Sequence, residues 1–101
     1  SSQIKKRVNN ASRRQEDRFS KLAIFCNARM HSRHLKKFCH LDTEGEKILR
    51  QAVDVLGFSG RACHSVIRVS RTIADLENSE KIERHHLAEA IQLRSFDRNI
   101  I

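Results

Sequence analysis

The sequence predicts an all-α domain, a compact bundle of four to five helices, on three observations. The 101 residues contain no proline and only three glycines, Gly45, Gly57 and Gly60, so helix breakers and hairpin signals are scarce. Apolar residues recur at three- and four-residue steps in segment after segment, the period of a helix face and not of a strand. Hydrophobic residues make up 39% of the chain, enough for one small core.

Helix one runs from about Gln3 to Arg18, with Ile4, Val8, Ala11 and Gln15 as a narrow inward stripe continued by Phe19. Lys5, Lys6, Arg7, Arg13, Arg14 and Arg18 spread over the rest. So thin an apolar face needs a docking partner. These six bases could lie along nucleic acid, but they are not confined to one face, and the charge pattern favours a solvated helix packed on a missing neighbouring domain. Residues Ser20 to Met30 form a connector anchored by Leu22, Ile24 and Phe25. A short helix follows from Ser32, its N-cap, to Cys39, with Leu35 and Phe38 turned inward.

Asp42 or Thr43 caps helix three, and Glu44 and Glu46 suit the positive end of its dipole. Ile48, Leu49, Ala52, Val53 and Leu56 form its buried face, and Gly57 is a natural stop. Ser59 caps helix four, which reaches about Glu77. Its apolar stripe is Ala62, Val66, Val69, Ile73 and Leu76, while Arg61, Ser65, Arg68 and Thr72 share the opposite side. Asn78-Ser79-Glu80-Lys81 makes a turn and Ile82 plugs the core. The last helix spans Glu83 to Ser95, with Leu87, Ala90, Ile91 and Arg94 on one side. One domain thus covers 1–101, with residues 1–30 as helix plus connector and 31–98 as the bundle.

Twenty Lys and Arg against twelve Asp and Glu give a net charge of +8. That excess suits a polyanion, whether nucleic acid, nucleotide phosphate or an acidic protein surface, and equally a solvated surface with interspersed acids. Cys26, Cys39 and Cys63 cannot all pair and form no CxxC, so free thiols and a reducing, cytoplasmic setting are expected. No apolar run approaches the roughly 18 residues that cross a bilayer, so no membrane partner is expected. The chain opens abruptly in a helical pattern without a methionine and reads as a piece of a longer protein. It has no Gly-rich phosphate loop, GxSxG or HExxH, so no catalytic residue is assigned and this chain alone is expected to catalyse nothing.

Arg61 is the residue that local structure explains least. The first turn of a helix favours acids, so an arginine there answers to something else, and a guanidinium fork aimed at phosphate is a good reason. Arg68, two turns along the same face, is a secondary candidate, or pairs with Asp75. Arg71 lies nearer the edge of that face and reads as a packing or salt-bridge residue. The spacing Cys26-x4-His31-x2-His34-x4-Cys39 offers a two-Cys, two-His set but no tight cysteine pair, so buried thiols and surface histidines are expected rather than metal. His86 and Glu89, three apart, read as ordinary helix surface.

Several motifs fall together in order: Cys39-His40-Leu41-Asp42, Leu56-Gly57-Phe58-Ser59-Gly60-Arg61-Ala62 and Val69-Ser70-Arg71-Thr72-Ile73-Ala74-Asp75-Leu76. With Arg7-Val8, Arg18-Phe19, Asn27-Ala28, His86-Leu87-Ala88-Glu89-Ala90-Ile91 and Arg94-Ser95-Phe96-Asp97-Arg98, they cover nearly the whole chain. The sequence resembles the C-terminal helical lid of magnesium-chelatase-like AAA+ ATPases, most closely the ComM/YifB branch. That resemblance implies a preceding ATPase core that binds ATP and Mg2+, a homo-oligomeric hexameric ring, and DNA among the candidate partners. It implies that Arg61, in Ser59-Gly60-Arg61-Ala62, is the sensor-2 arginine that touches the nucleotide phosphates and couples hydrolysis to domain movement. Gly60 and Cys63-His64-Ser65 stand where the family more often has Ala and an aromatic-Asp-Arg run. The alternative reading is an autonomous basic module that binds nucleic acid.

Overall fold

A computed structural model describes the backbone of residues 2–100 and the side chains through Ser95; the Phe96, Asp97 and Arg98 side chains of the family-like C-terminal motif lie outside the described residues. Five helices follow one another: α1 (Ser2–Arg18), α2 (Ser32–Phe38), α3 (Thr43–Leu56), α4 (Gly60–Leu76) and α5 (Arg84–Ile100), with a single 3-10 turn at Asn27–Arg29 in the connector. The all-α expectation holds throughout the described backbone.

Helix α4 is the hub. It touches α5, α1, the 3-10 turn and α2, while α3 reaches the bundle mainly through α5. Ala62, Cys63, Val66 and Ala74 form its buried line, together with Ser70, Arg71 and Asp75. The buried face is therefore turned from the expected one: Val69 is 37% exposed, and polar residues share the core. Ser70 is tolerable there because its hydroxyl donates to the Val66 carbonyl at 2.7 Å. The core around this line is filled by Phe19, Met30, Leu35, Phe58, Ile82, Leu87 and Ala90. Phe19 meets Phe38 edge-on, with ring centroids 5.5 Å apart.

The ends of α3 and the start of α4 follow their sequence signals, and the start of α2 does not. Asp42 caps α3 by accepting from the Gly45 N–H, and Ser59 caps α4 by accepting from the Ala62 N–H. Gly57 closes α3 at φ 71°, a left-handed conformation that costs glycine little. At Gly45 a Cβ would lie 2.9 Å from Leu87 Cδ1, so the missing side chain lets α3 approach α5 closely. Helix α2 is capped by His31 and not by Ser32. The His34 Nδ1 accepts from the His31 N–H at 3.0 Å, which moves the cap one residue upstream.

Helix α1 departs most from the amphipathic expectation. Ile4 and Val8 are 62% and 49% exposed, and Ala11 is the one buried residue of the helix among those described. Arginines dock it instead. Arg7 Nε donates to the Leu76 carbonyl at 3.1 Å, and Arg14 donates to the Asn78 side chain and carbonyl. Both serve the C-terminal end of α4, where unpaired carbonyls and the dipole favour cations. The partner of α1 is thus a helix of its own domain. In the connector Leu22 and Ile24 pack on the core, but Phe25 is 82% exposed and anchors nothing. Val53 and Leu56 of α3 are each 42% exposed because α3 meets the bundle along one edge only. Helix α5 continues to Ile100, beyond the expected end at Ser95.

Beneath α1 lies a buried ion cluster. Arg18 grips Asp75 with a two-pronged fork, Nη2 to Oδ1 at 2.7 Å and Nη1 to Oδ2 at 2.9 Å. Asn27 adds a third donor to Asp75 at 2.9 Å, a bond to Thr72, and an oxygen that accepts from Arg18. Arg71 stands 3.2 Å from the same carboxylate and donates to the Ser79 and Glu80 carbonyls, fixing the α4–α5 turn. Asp75 has no exposed surface. Removing one partner of a buried ion group strands the others, which costs about 3–5 kcal/mol. Asp75→Ala is therefore expected to lower unfolding stability by about that amount in urea titration; a loss near zero would show that the cluster carries no net stability.

Candidate functional site

Of the three arginines on α4, two are spent on structure. Arg71 is held in the ion cluster, and Arg68 Nη1 donates to the Met30 carbonyl at 3.2 Å. Asp75 is fully engaged by Arg18, Asn27 and Arg71, so the alternative Arg68–Asp75 pairing does not form. Arg61 stands exposed in the first turn of α4, with no hydrogen bond or ion pair among the described residues. A cation at the positive end of a helix dipole costs a few tenths of a kcal/mol and up to about 1. No acidic partner among the described residues compensates Arg61 for that cost.

The packing of its neighbours holds the backbone at Arg61 in a fixed place. Ser59 Oγ accepts from the Ala62 N–H at 3.1 Å and anchors the turn in which Arg61 sits. Ala62 and Cys63, its immediate successors, are buried and pin the helix to the core. Arg68 lies about 10 Å further along the axis at 1.5 Å per residue. The structure therefore keeps Arg61 available and turns Arg68 into a brace between α4 and the connector.

The other polar groups are structural. Cys39 donates its thiol to the Met30 sulfur at 3.9 Å, and burial pushes its pKa up to about 11. Burial also raises the Cys63 thiol. Neither is a nucleophile at neutral pH. Among the described residues Cys26, His31, His34 and Cys39 form no group of neighbouring ligand atoms; His34 is spent on the α2 cap and Cys39 on Met30.

One His/Glu group escaped the sequence reading. Among the described residues, ligand atoms of Glu77, His85 and His86 lie within 4.8 Å of one another at the α4–α5 corner. Glu77 Oε1 is 2.9 Å from His85 Nε2 and 3.2 Å from the buried His86 Nε2. The tautomer argues against a metal here. The Glu83 N–H donates to His86 Nδ1 at 2.9 Å, which leaves the ring proton on Nε2, facing Glu77. The group is better described as an ion cluster, and His86 faces Glu77 rather than Glu89.

Its titration has a definite sign. The hydrogen bond to Glu77 raises the His85 pKa above 6.5, and the hydrogen bond from His85 lowers Glu77 below 4.5. The His85 contribution is therefore fully present below pH 6.5 and lost as pH rises through the raised folded value. The Glu77 contribution is present above pH 4.5 and lost as pH falls through the lowered one. His34 works the other way, since burial lowers its pKa and its contribution fades as pH falls. Comparing wild type with Glu77→Gln isolates the corner. The stability difference between them is expected to be larger at about pH 6 than at about pH 8 in urea titrations. An equal difference at both would contradict the pairing.

The family described as magnesium chelatase, subunit ChlI C-terminal, matches residues 1–94. The chain belongs to that family. It is 41% identical to the protein YifB of Salmonella typhimurium and 40% identical to YifB of Escherichia coli K12, over all 101 residues in both cases. The competence protein ComM of Haemophilus influenzae is 36% identical over 98 residues, or 97% of this chain. The chain spans about a fifth of these relatives, 19% of each YifB and 18% of ComM. No solved structure matches it. The magnesium chelatase C-terminal family to which it belongs is an AAA+ family. The resemblance to it rested partly on Arg18, Asn27, Arg71 and Asp75, which the structure gathers into the buried cluster. No helix among the described residues is long and apolar enough to cross a membrane.

Proposed function

We propose that this chain is the lid of an AAA+ ATPase and that Arg61 is its phosphate sensor. The observation that carries the reading is the contrast among the arginines of α4: Arg68 and Arg71 are tied down, and Arg61 is left exposed at a dipole end that disfavours it. A triphosphate supplied by a neighbouring core repays that placement, because a guanidinium forks onto phosphate oxygens. The core binds ATP and Mg2+, and Arg61 stabilises charge on the β/γ-phosphates during hydrolysis. Since α4 contacts nearly every other element, a pull at Arg61 moves the domain as one body. In the ring, which we take to be a homo-hexamer in the cytoplasm, that movement reports nucleotide state to the motor.

What the motor moves is a second step. The name of the competence relative favours DNA over a porphyrin as the load. A different reading, direct nucleic-acid binding by this chain, has the net charge of +8 in its favour.

Arg61→Ala in the full-length protein is expected to lower ATP turnover about tenfold to a hundredfold, the cost of one charge-assisted contact of roughly 1.5–3 kcal/mol. The unfolding free energy of the lid should stay within about 0.5 kcal/mol of wild type, as for other surface changes. Steady-state turnover measured beside thermal unfolding checks both. Unchanged turnover in a folded variant would overturn the assignment.

A further inference from the structure

The connector and α2 carry a surface that neither the nucleotide reading nor the core explains. Asp17 and Asp42 bracket residues 18–41, the longest stretch of the chain without an acid, although twelve acids are spread over the 101 residues. Of the bases in that stretch, Arg18 is spent on Asp75 and Lys37 lies over the Phe38 ring. Lys21, Arg29, Arg33 and Lys36 are exposed and take part in none of the ion pairs among the described residues. Arg33 stands three and four residues before Lys36 and Lys37 on one side of α2, whose other side buries His34 and Leu35. Like charges at that spacing repel one another, and no such pair relieves them.

Beside this charge lies a trough of about 680 Å3, with Ala23, Ile24, Phe25, Ala28 and Met30 in its lining and Arg29 shared with the charged surface. Leu22 and Ile24 pack on the core, whereas Phe25 is 82% exposed, so its ring stands in water. A ring in that position pays for apolar hydration and returns nothing to the fold. Aromatics and arginine carry most of the binding energy at protein interfaces, and charges around them steer the partner in. A bilayer needs an apolar face that protrudes, and here the apolar side chains other than Phe25 line a hollow. Walls of this kind receive an aliphatic side chain in preference to a sugar–phosphate chain.

We propose that this surface docks an acidic segment of a partner protein, with a leucine-like side chain in the trough against Phe25 and flanking carboxylates on Arg29, Arg33 and Lys36. The positive field draws the segment in, and the apolar contact holds it. The proposal does not rest on the Arg61 reading, because its readout is peptide binding by this chain and not ATP turnover.

The test is fluorescence anisotropy of two labelled peptides titrated with the 101-residue chain. One is a run of glutamates carrying two leucines four residues apart, and its twin has serines in place of the leucines. The leucine peptide is expected to bind about tenfold more tightly at equal charge. Phe25→Ala should cancel that advantage and Phe25→Leu should keep most of it; both variants keep the fold, because the ring lies outside the core. Arg33→Ser combined with Lys36→Ser should weaken both peptides about threefold to tenfold at low salt and hardly at all near about 0.5 M salt, where the charges are screened. Lys47→Ala, on α3, should change neither. Equal binding of the two peptides, or none, would overturn the proposal, and so would Phe25→Ala behaving like wild type. Tighter binding of dT20 than of the leucine peptide would reassign the surface to a polynucleotide, and tighter binding of anionic vesicles to a membrane; either result overturns it.

Discussion

Asp75 is the residue on which the rest of the structure depends. A carboxylate with no exposed surface is costly to bury, and it is tolerable here because Arg18, Asn27 and Arg71 surround it. Those three residues come from three parts of the chain: the end of α1, the connector and α4 itself. Burying one charge thereby fixes the position of everything N-terminal to α2. The cluster also reaches the α4–α5 turn through Arg71, so the C-terminal end of α4 is tied from both sides.

That arrangement explains an uneven helix. At its C-terminal end α4 is crowded with cations that match its dipole, Arg7 on the Leu76 carbonyl and Arg14 on Asn78 among them. At its N-terminal end it carries Arg61, a cation of the wrong sign with no partner among the described residues. Both ends of the helix are packed on the core, and the asymmetry lies in the side chains, paired at one end and exposed at the other. The chain belongs to a family of AAA+ proteins and is about a fifth of its relatives, and under the function proposed above the open end is where a neighbouring core presents its nucleotide.

Much of this was legible in the sequence. The scarcity of glycine and proline gave the fold class, and Asp42, Gly57 and Ser59 placed the ends of α3 and the start of α4 within a residue. The Arg61 anomaly was visible because dipole preference is a local property. The failures share a cause, which is that periodicity registers apolar residues and not paired charges. It gave α1 an apolar stripe through Ile4 and Val8, when Arg7, Arg14 and Arg18 do the docking. It gave α4 a stripe through Val69, when Arg71 and Asp75 occupy the core. Arg18 and Asp75 are 57 residues apart, and no local pattern joins them. Glu77 and His85 were missed for the same reason, eight residues apart across a turn. Phe25 was read as an anchor because the type of a residue does not say which way a connector turns it.

The central claim is that a polar cluster, and not an apolar face, holds α1 and the connector on α4. Native-state hydrogen exchange of Arg18→Met measures this directly, because methionine keeps most of the apolar stem and removes the fork. The amides of α1 and of residues 27–30 are expected to lose protection, while those of α3 and α5 keep theirs. Unchanged protection in α1 would mean that apolar contacts hold it, and would contradict the account.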